Sequence, residues 1–365
     1  MNLAILLIPS LIVVLIMKFK YHTAITTKEL LIHTGICFLA AVLVLGTSYL
    51  INYSQLRDVE ILNGQVTEKY SQRENCTSQS SSCKHYTWHE RCWTTYDSKG
   101  RSQRECESYK VFDYPYEIDW YVKSTVGKFE IERVNRQGTQ TPPRWQEVKI
   151  GDYAAAENTY INYLFADKHS LFSTEDLISM YDKEYLESLP EYPSISDYYK
   201  THHVINKTDY DVSGYDEYLR EVLKTLGAQK QVNIQVLVYD YHDVNFVDAV
   251  TSIWRGGKKN DVIMFFGISN DGVVKSFNST SFAKGMNNEE LHSKMRMDAL
   301  NEVLTLDLLK VQVHNIQTKF ERLSNKEFEY MAVKMEPRKD VMIAASLILI
   351  VLSIVVGLYM KENNV

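Results

Sequence analysis

The chain has 365 residues, with 40 Lys and Arg against 46 Asp and Glu, a formal net charge of −6. Only four of the basic side chains (Lys18, Lys20, Lys28 and Lys361) and two of the acidic ones (Glu29 and Glu362) fall in the apolar terminal segments, so the middle is more acidic than the whole. That balance argues against a nucleic-acid partner and against an anionic-lipid surface as the purpose of the middle region.

Two apolar runs open the chain. Leu3 to Met17 is almost unbroken, and Leu31 to Ile51 is a second run; a third, Val341 to Met360, lies near the C-terminus. A bilayer core of about 30 Å needs about 20 apolar residues at 1.5 Å each, so three transmembrane helices are expected, over 2–18, 31–52 and 341–360. The first run is short, and Phe19 with snorkelling lysines extends it. Its rival reading is a cleaved signal peptide, but it lacks a charged leader and a small-residue cleavage site. Lys18, Lys20 and Lys28 place the first loop in the cytoplasm by the positive-inside rule. The bulk of the chain then lies outside and the C-terminal tail inside. Arg338 and Lys339 flank the third span on the opposite side.

Residues 54–170 are expected to form a β-rich domain. Asp58 to Tyr70 alternates loosely and predicts a strand, and 71–110 is a polar excursion with almost no aliphatic residues. Such a stretch cannot bury enough apolar area to hold one shape, yet it carries Cys76, Cys83, Cys92 and Cys106. An even count in an exposed segment predicts two disulfides in an oxidising compartment, with three pairings open. Zinc is the alternative, given His85 and His89, although the six, eight and thirteen residues between successive cysteines lack a CxxC knuckle; free thiols are the third. Cys37 lies within the second span. Tyr116, Ile118, Trp120 and Val122 alternate with polar residues and predict a half-buried strand. Phe129 and Ile131, Trp145 to Ile150 and Thr159 to Phe165 are further strand candidates, reading together as an antiparallel meander. The 25 tyrosines fit half-buried β surface, and beside it a recognition surface.

Residues 171–335 change character. Ser173 to Asp176 predicts a helix start with Leu177, Tyr181, Tyr185 and Leu189 behind it. Ser213 with Asp216 predicts another, closed at Gly227. Val232 to Asp240, a helix from about Asn245 to Trp254, and Asp261 to Ile268 predict a βαβ unit with parallel strands. A third strand, Val273 to Phe277, follows an Asn270-Asp271-Gly272 turn. Helical sequence dominates from Asn287 to about Met335, with a further start at Ser324 and Glu327.

The strand Ile234 to Val238, Trp254 before Gly256-Gly257, the pair Lys258-Lys259, and Asn260 leading into Val262 to Phe266 together resemble the TPM domain. This family includes thylakoid acid phosphatases, photosystem-repair factors and receptor accessory subunits. Asn278-Ser279-Thr280-Ser281 stands where the family has a glycine-flanked turn. The layout of terminal spans, cysteine-bearing segment and βαβ domain is similar to that of uncharacterised membrane proteins of tailed bacteriophages.

If the two βαβ strands are parallel, Asp240, His242 and Asp243 approach Asn270 and Asp271 at one sheet edge, where open α/β sheets bind ligands. Asp240, Asp243 and Asp271 are therefore candidate ligands for Ca²⁺ or Mg²⁺. The plainer reading is a turn at Asn-Asp-Gly and a helix cap at Asp243. Neither a phosphate loop nor an HExxH motif is present, and no catalytic residue is assigned. The expectation is thus a membrane-anchored α+β protein of the bacterial inner membrane with a disulfide-stapled β-rich domain and a TPM-like α/β domain on the periplasmic side. Its expected partners are the lipid bilayer and an envelope membrane protein. A metal-dependent envelope phosphatase is the alternative.

Overall fold

In a computed structural model of the chain, residues 2–77, 81–166, 178–283, 287–334 and 339–363 are described. The chain is a mixture of helices and sheets that divides into two units: Met1–Asp58, Thr159–Ser173 and Ser324–Val365 form one, Val59–Asn158 and Thr174–Leu323 the other.

The first unit holds α1 (Asn2–Lys20), α2 (Thr27–Gln55) and α9 (Lys339–Asn363), which pack on one another. Helix α2 begins four residues before the expected span, because Thr26 and Glu29 close a capping box that satisfies the free N–H groups there. Among the described residues, two stretches are long and apolar enough to cross a membrane, Thr27–Gln55 and Val341–Glu362. The polarity of this bundle is inverted relative to a water-soluble one. Ser10, His33, Ser48 and Ser353 are buried, while Ile12, Leu15, Leu39, Leu43, Leu347 and Val351 face outward. His33 Nε2 lies 3.1 Å from Ser353 Oγ, which donates to the Ser10 carbonyl at 3.3 Å. Polar groups turned inward and aliphatic ones outward are matched to lipid. Ala41 and Leu6 pack with Met342, Ala345 and Leu349, whereas a Cβ added at Gly35 or Gly46 would meet no other helix within 4 Å. Below the helices, Tyr160 and Asn162 both donate to the buried Asp58 at 3.0 Å.

The second unit contains two four-stranded sheets and a separate two-stranded ribbon. The first sheet runs β5-β4-β1-β6, from β1 (Arg57–Asn75), β4 (Tyr116–Ser124), β5 (Lys128–Ile131) and β6 (Tyr153–Ile161). Trp120, Val122 and Ile131 pack there on Val66, Val148 and Tyr199. Two strand expectations fail here. Trp145 to Ile150 starts inside a short helix, α3 (Pro143–Glu147), because Pro142 and Pro143 preset helical entry. The strand expected at Thr159 to Phe165 instead starts at Tyr153 and ends at Ile161, where a 3₁₀ turn (Tyr163–Ala166) takes over. The sequence between β1 and β4 is not irregular either. It builds β2 (Tyr86–Tyr96) and β3 (Ser102–Phe112), an antiparallel ribbon in unbroken register.

The second sheet runs β10-β9-β8-β7, from β7 (Val204–Asn206), β8 (Asn233–Asp240), β9 (Asp261–Ile268) and β10 (Val274–Ser281). Strands β7, β8 and β9 are parallel and β10 is antiparallel to β9. Asn278 to Ser281 continue β10 and make no turn. Every residue of β9 is buried, as befits a strand covered on both faces. Ile234, Val236, Val262, Met264 and Phe266 point to one layer, with α5 (Tyr215–Lys230), α7 (Glu289–Ala299) and α8 (Leu306–Lys319); Leu237, Tyr239, Ile263 and Phe265 point to the other, with α6 (Phe246–Ile253) and Trp254. Ile61, Tyr153 and Ala155 of the first sheet join the former core. The boundary expected between residues 170 and 171 lies outside the described residues. The start expected at Ser173 to Asp176 lies outside the described residues, and α4 (Lys183–Ser188) follows it.

Helix α5 corrects two further expectations. Gly214, at φ +80°, is its N-cap residue, and Ser213 instead bonds Asp211. Gly227 does not close it: the helix runs on to Lys230 and ends at Gln231, which takes the left-handed conformation. Gly227 is small for a different reason. A Cβ there would lie 2.7 Å from the Asn63 carbonyl oxygen, so only glycine lets α5 approach β1 this closely.

Candidate functional site

Three features stand out for their chemistry, all within the second unit. The first is the ribbon. Cys92 and Cys106 sit opposite each other in the β2–β3 register and are joined by a disulfide; Cys76 and Cys83 are joined as well. Pairing is thus between neighbours in sequence, and in this state the four sulfurs offer no thiolate to zinc. His85 bonds Glu117 and His89 lies against Tyr109, so neither is turned toward the cysteines as a ligand pair. Nearly every side chain of β2 and β3 is exposed. Trp88 is 62 % exposed and Tyr96 73 %, and Trp93 and Tyr109 are exposed on the opposite face. Exposed tryptophan and tyrosine on a rigid frame are the residues that dominate binding energy at interfaces.

The base of the ribbon is held by a buried acid. Glu117 accepts from the N–H of Lys84 at 2.9 Å, from the N–H and Nδ1 of His85 at 3.0 and 2.9 Å, and from Arg133 at 2.6 Å. Arg133 also pairs with Asp119. Burial alone would raise the Glu117 pKa. The donors from Lys84, Arg133 and His85 outweigh it and pull the group down to about 2.

The second feature lies where the carboxyl ends of the parallel strands meet. Asp240 is in register with Ile268, and a polar cleft of about 610 Å³ opens there. Lys207, Thr208, Asp209, Asp211, Asp240, Ser269 and Asn270 line it. The edge is the one expected, and Asp240 and Asn270 reach it together. Asp243 and Asp271 do not. Asp243 accepts the Tyr185 hydroxyl at 2.8 Å and the N–H of Asn245 at 3.2 Å; Asp271 accepts from Ser269 at 2.5 Å. Asp240 itself accepts from the N–H and ring of His242. The three carboxylates therefore do not converge as a cation site: Asp240 and Asp271 are turned back onto their own loops, and Asp243 is held by Tyr185 of α4. Among the described residues, groups of three ligand types within reach of one ion are Cys76, Cys83 and Glu117, and Glu90, Cys92 and Cys106, both containing oxidised cysteines. Lys207 to Asp211 escaped the sequence reading, since nothing in a turn this polar marks it as a cleft wall.

The third feature is a buried polar chain at the opposite edge. Tyr153 lies 2.9 Å from His203 Nε2 and donates to Asn63, whose amide donates to Asn233 at 3.0 Å. Asn233 in turn donates to Asp261 at 2.9 Å, and Tyr192 and the Lys258 N–H also serve that carboxylate. Asp261 is 1 % exposed, and burial raises its pKa to about 6. His203 is fully buried, and burial pushes it down to about 4. This chain joins β1, β6, β8 and β9 and fixes one arrangement of the two sheets.

Compared with protein-family models, with curated proteins and with solved structures, the chain matches none of them.

Proposed function

We propose that the chain is a membrane-anchored binding or assembly protein of the bacterial envelope, displaying its stapled ribbon to an envelope membrane protein. One observation carries this reading. The ribbon is a rigid, disulfide-bonded blade whose Trp88, Trp93, Tyr96 and Tyr109 are exposed, although a chain this size has core enough to bury them. The disulfides support an oxidising compartment, and the outward aliphatic faces of α2 and α9 support anchoring at both ends, with α1 as a third span. Periplasmic placement, a cytoplasmic tail, the likeness to TPM domains and a source in tailed bacteriophages belong to the same proposal. Photo-crosslinking from position 93 or 109 in native membranes tests it. A discrete envelope protein in the adduct, lost from position 93 when Tyr109 is alanine and from position 109 when Trp93 is alanine, is the expected result. Labelling of lipid and water-exposed bystanders alone would sink it.

The polar cleft keeps a second reading open, a metal-assisted envelope phosphatase of TPM type, with Asp209, Asp211 and Asp240 as the available carboxylates. Asp240→Ala distinguishes the two: a phosphatase loses phosphate-ester turnover, whereas the binding protein keeps its adduct.

A further inference from the structure

We infer that strand β2 pairs edge to edge with β2 of a second copy of this chain, giving a continuous sheet β3-β2-β2-β3 around a two-fold axis. The inference concerns the main-chain edge of the ribbon and does not depend on which envelope protein its faces bind.

The direction of the backbone groups follows from the pairs that flank the ribbon. Asp113 donates to the His85 carbonyl at 3.1 Å, and Asp97 donates to the Arg101 carbonyl at 3.0 Å. Both pairs belong to the same register as the ribbon. Hydrogen-bonded and non-bonded pairs alternate in an antiparallel ladder, so Thr87, His89, Arg91, Trp93 and Thr95 spend their N–H and C=O groups on β3. Tyr86, Trp88, Glu90, Cys92, Thr94 and Tyr96 turn theirs outward. The 4.0 Å between the α-carbons of Cys92 and Cys106 agrees, being the narrow spacing of a non-bonded pair. Among the described residues this sheet contains β2 and β3 alone. The β2 edge carries no proline and no bulge over 11 residues, the devices that normally blunt such an edge.

The outward set is self-complementary in the register centred on Cys92. An antiparallel pairing centred on Cys92 sets Trp88 against Tyr96 of the second copy and Glu90 against Thr94, each twice by symmetry. Aromatic cross-strand pairs of this kind are favourable. Centring on Glu90 would put that carboxylate against itself; centring on Thr94 would set Trp88 against Gly100 in the turn and lose both aromatic pairs. The β3 edge has no such register, since its outward set is Ser102, Arg104, Cys106, Ser108, Lys110 and Phe112, with two cations and a single aromatic. A chain held in a bilayer also meets its copies at raised effective concentration, and an isologous contact closes as a dimer.

The test uses the full chain in lipid nanodiscs with p-benzoylphenylalanine replacing Tyr96. The wild-type background should give a covalent dimer joined close to Trp88. Thr94→Pro removes an outward N–H that the ribbon itself does not use, and Thr94→Glu sets a second acid against Glu90; each should lower dimer yield at least ten-fold while the Cys92–Cys106 disulfide persists. Adding Glu90→Lys to Thr94→Glu should restore the dimer. A wild-type chain that stays uncrosslinked, a dimer indifferent to Thr94→Pro, or no rescue by the charge swap would each overturn the inference. None of these outcomes bears on the envelope-protein adduct from positions 93 and 109, so the two proposals fail separately.

Discussion

Replacing Glu117 by glutamine should loosen the ribbon from the sheet that carries it. The wild-type carboxylate is 1 % exposed and accepts four hydrogen bonds, two from main-chain N–H groups at Lys84 and His85 and two from charged or ring donors. A glutamine amide there offers one acceptor oxygen and turns an NH₂ group toward donors. Its loss also leaves Arg133, 9 % exposed, with Asp119 as its remaining acid partner. The fall of the Glu117 pKa from 4.5 to about 2 corresponds to about 3 kcal/mol at roughly 1.4 kcal/mol per unit. Because the folded pKa is the lower one, this stabilisation is present above pH 4.5 and is lost as the pH falls toward 2. Hydrogen-exchange protection at the Lys84 and His85 amides is the assay. At pH 7 the variant should lose about 100-fold in protection, the equivalent of about 3 kcal/mol. Between pH 5 and 2 the wild type should decline toward the variant while the variant stays flat. Equal protection in the two proteins at pH 7, or a wild-type value that ignores pH, would refute the account of the ribbon's base.

Four other outcomes are expected. Asp261 has a folded pKa raised from 3.8 to about 6, so its contribution is full below about pH 4 and lost as the pH rises through 6; Asp261→Asn should remove that slope from urea midpoints compared at pH 4.5 and 7.5, and an unchanged slope would exclude Asp261 as its source. His203 pulls the opposite way, its lowered pKa costing stability as the pH falls from 6.5 toward 4, which is why the variant must be compared with wild type at each pH. Gly227→Ala gains about 1 kcal/mol of helix propensity but drives its Cβ into Asn63, so a net loss of about 1–3 kcal/mol in unfolding free energy is expected; a stabilised variant would show that α5 and β1 can separate freely. Under denaturing conditions without reductant, maleimide should label Cys37 and leave the four disulfide-bonded cysteines unlabelled. Replacing Cys92 and Cys106 by serine should cost the ribbon about 3 kcal/mol, read as faster proteolysis between residues 86 and 112 at an otherwise unchanged fold.

Some of this architecture was written locally. The apolar runs appear as helices α1, α2 and α9, since length and apolarity are properties of the segment alone. The parallel pairing of β8 and β9 followed from two hydrophobic strands spaced by one helix. The edge holding Asp240 and Asn270 could therefore be named in advance. The turn chemistry of neighbouring residues was legible in part: Asp271, read as a turn residue, accepts from Ser269, whereas Asp243, read as a helix cap, accepts the distant Tyr185 hydroxyl while Asn245 is the N-cap residue of α6.

What the amino-acid order determined by itself was the apolar terminal segments, the oxidised cysteine cluster, the strand–helix–strand unit and the acidic balance between them, because partition into lipid, side-chain periodicity and net charge are additive over neighbours. Tertiary structure alone decided that Cys92 meets Cys106, that Glu117 is sealed beneath the ribbon, that Gly227 serves an approach rather than an ending, and that Tyr153, His203 and Asp261 share one buried chain. Each of those depends on which residues distant in sequence are brought within about 3 Å, and hydrogen bonding and burial at that range are set by the packed arrangement of the strands and not by any stretch read alone.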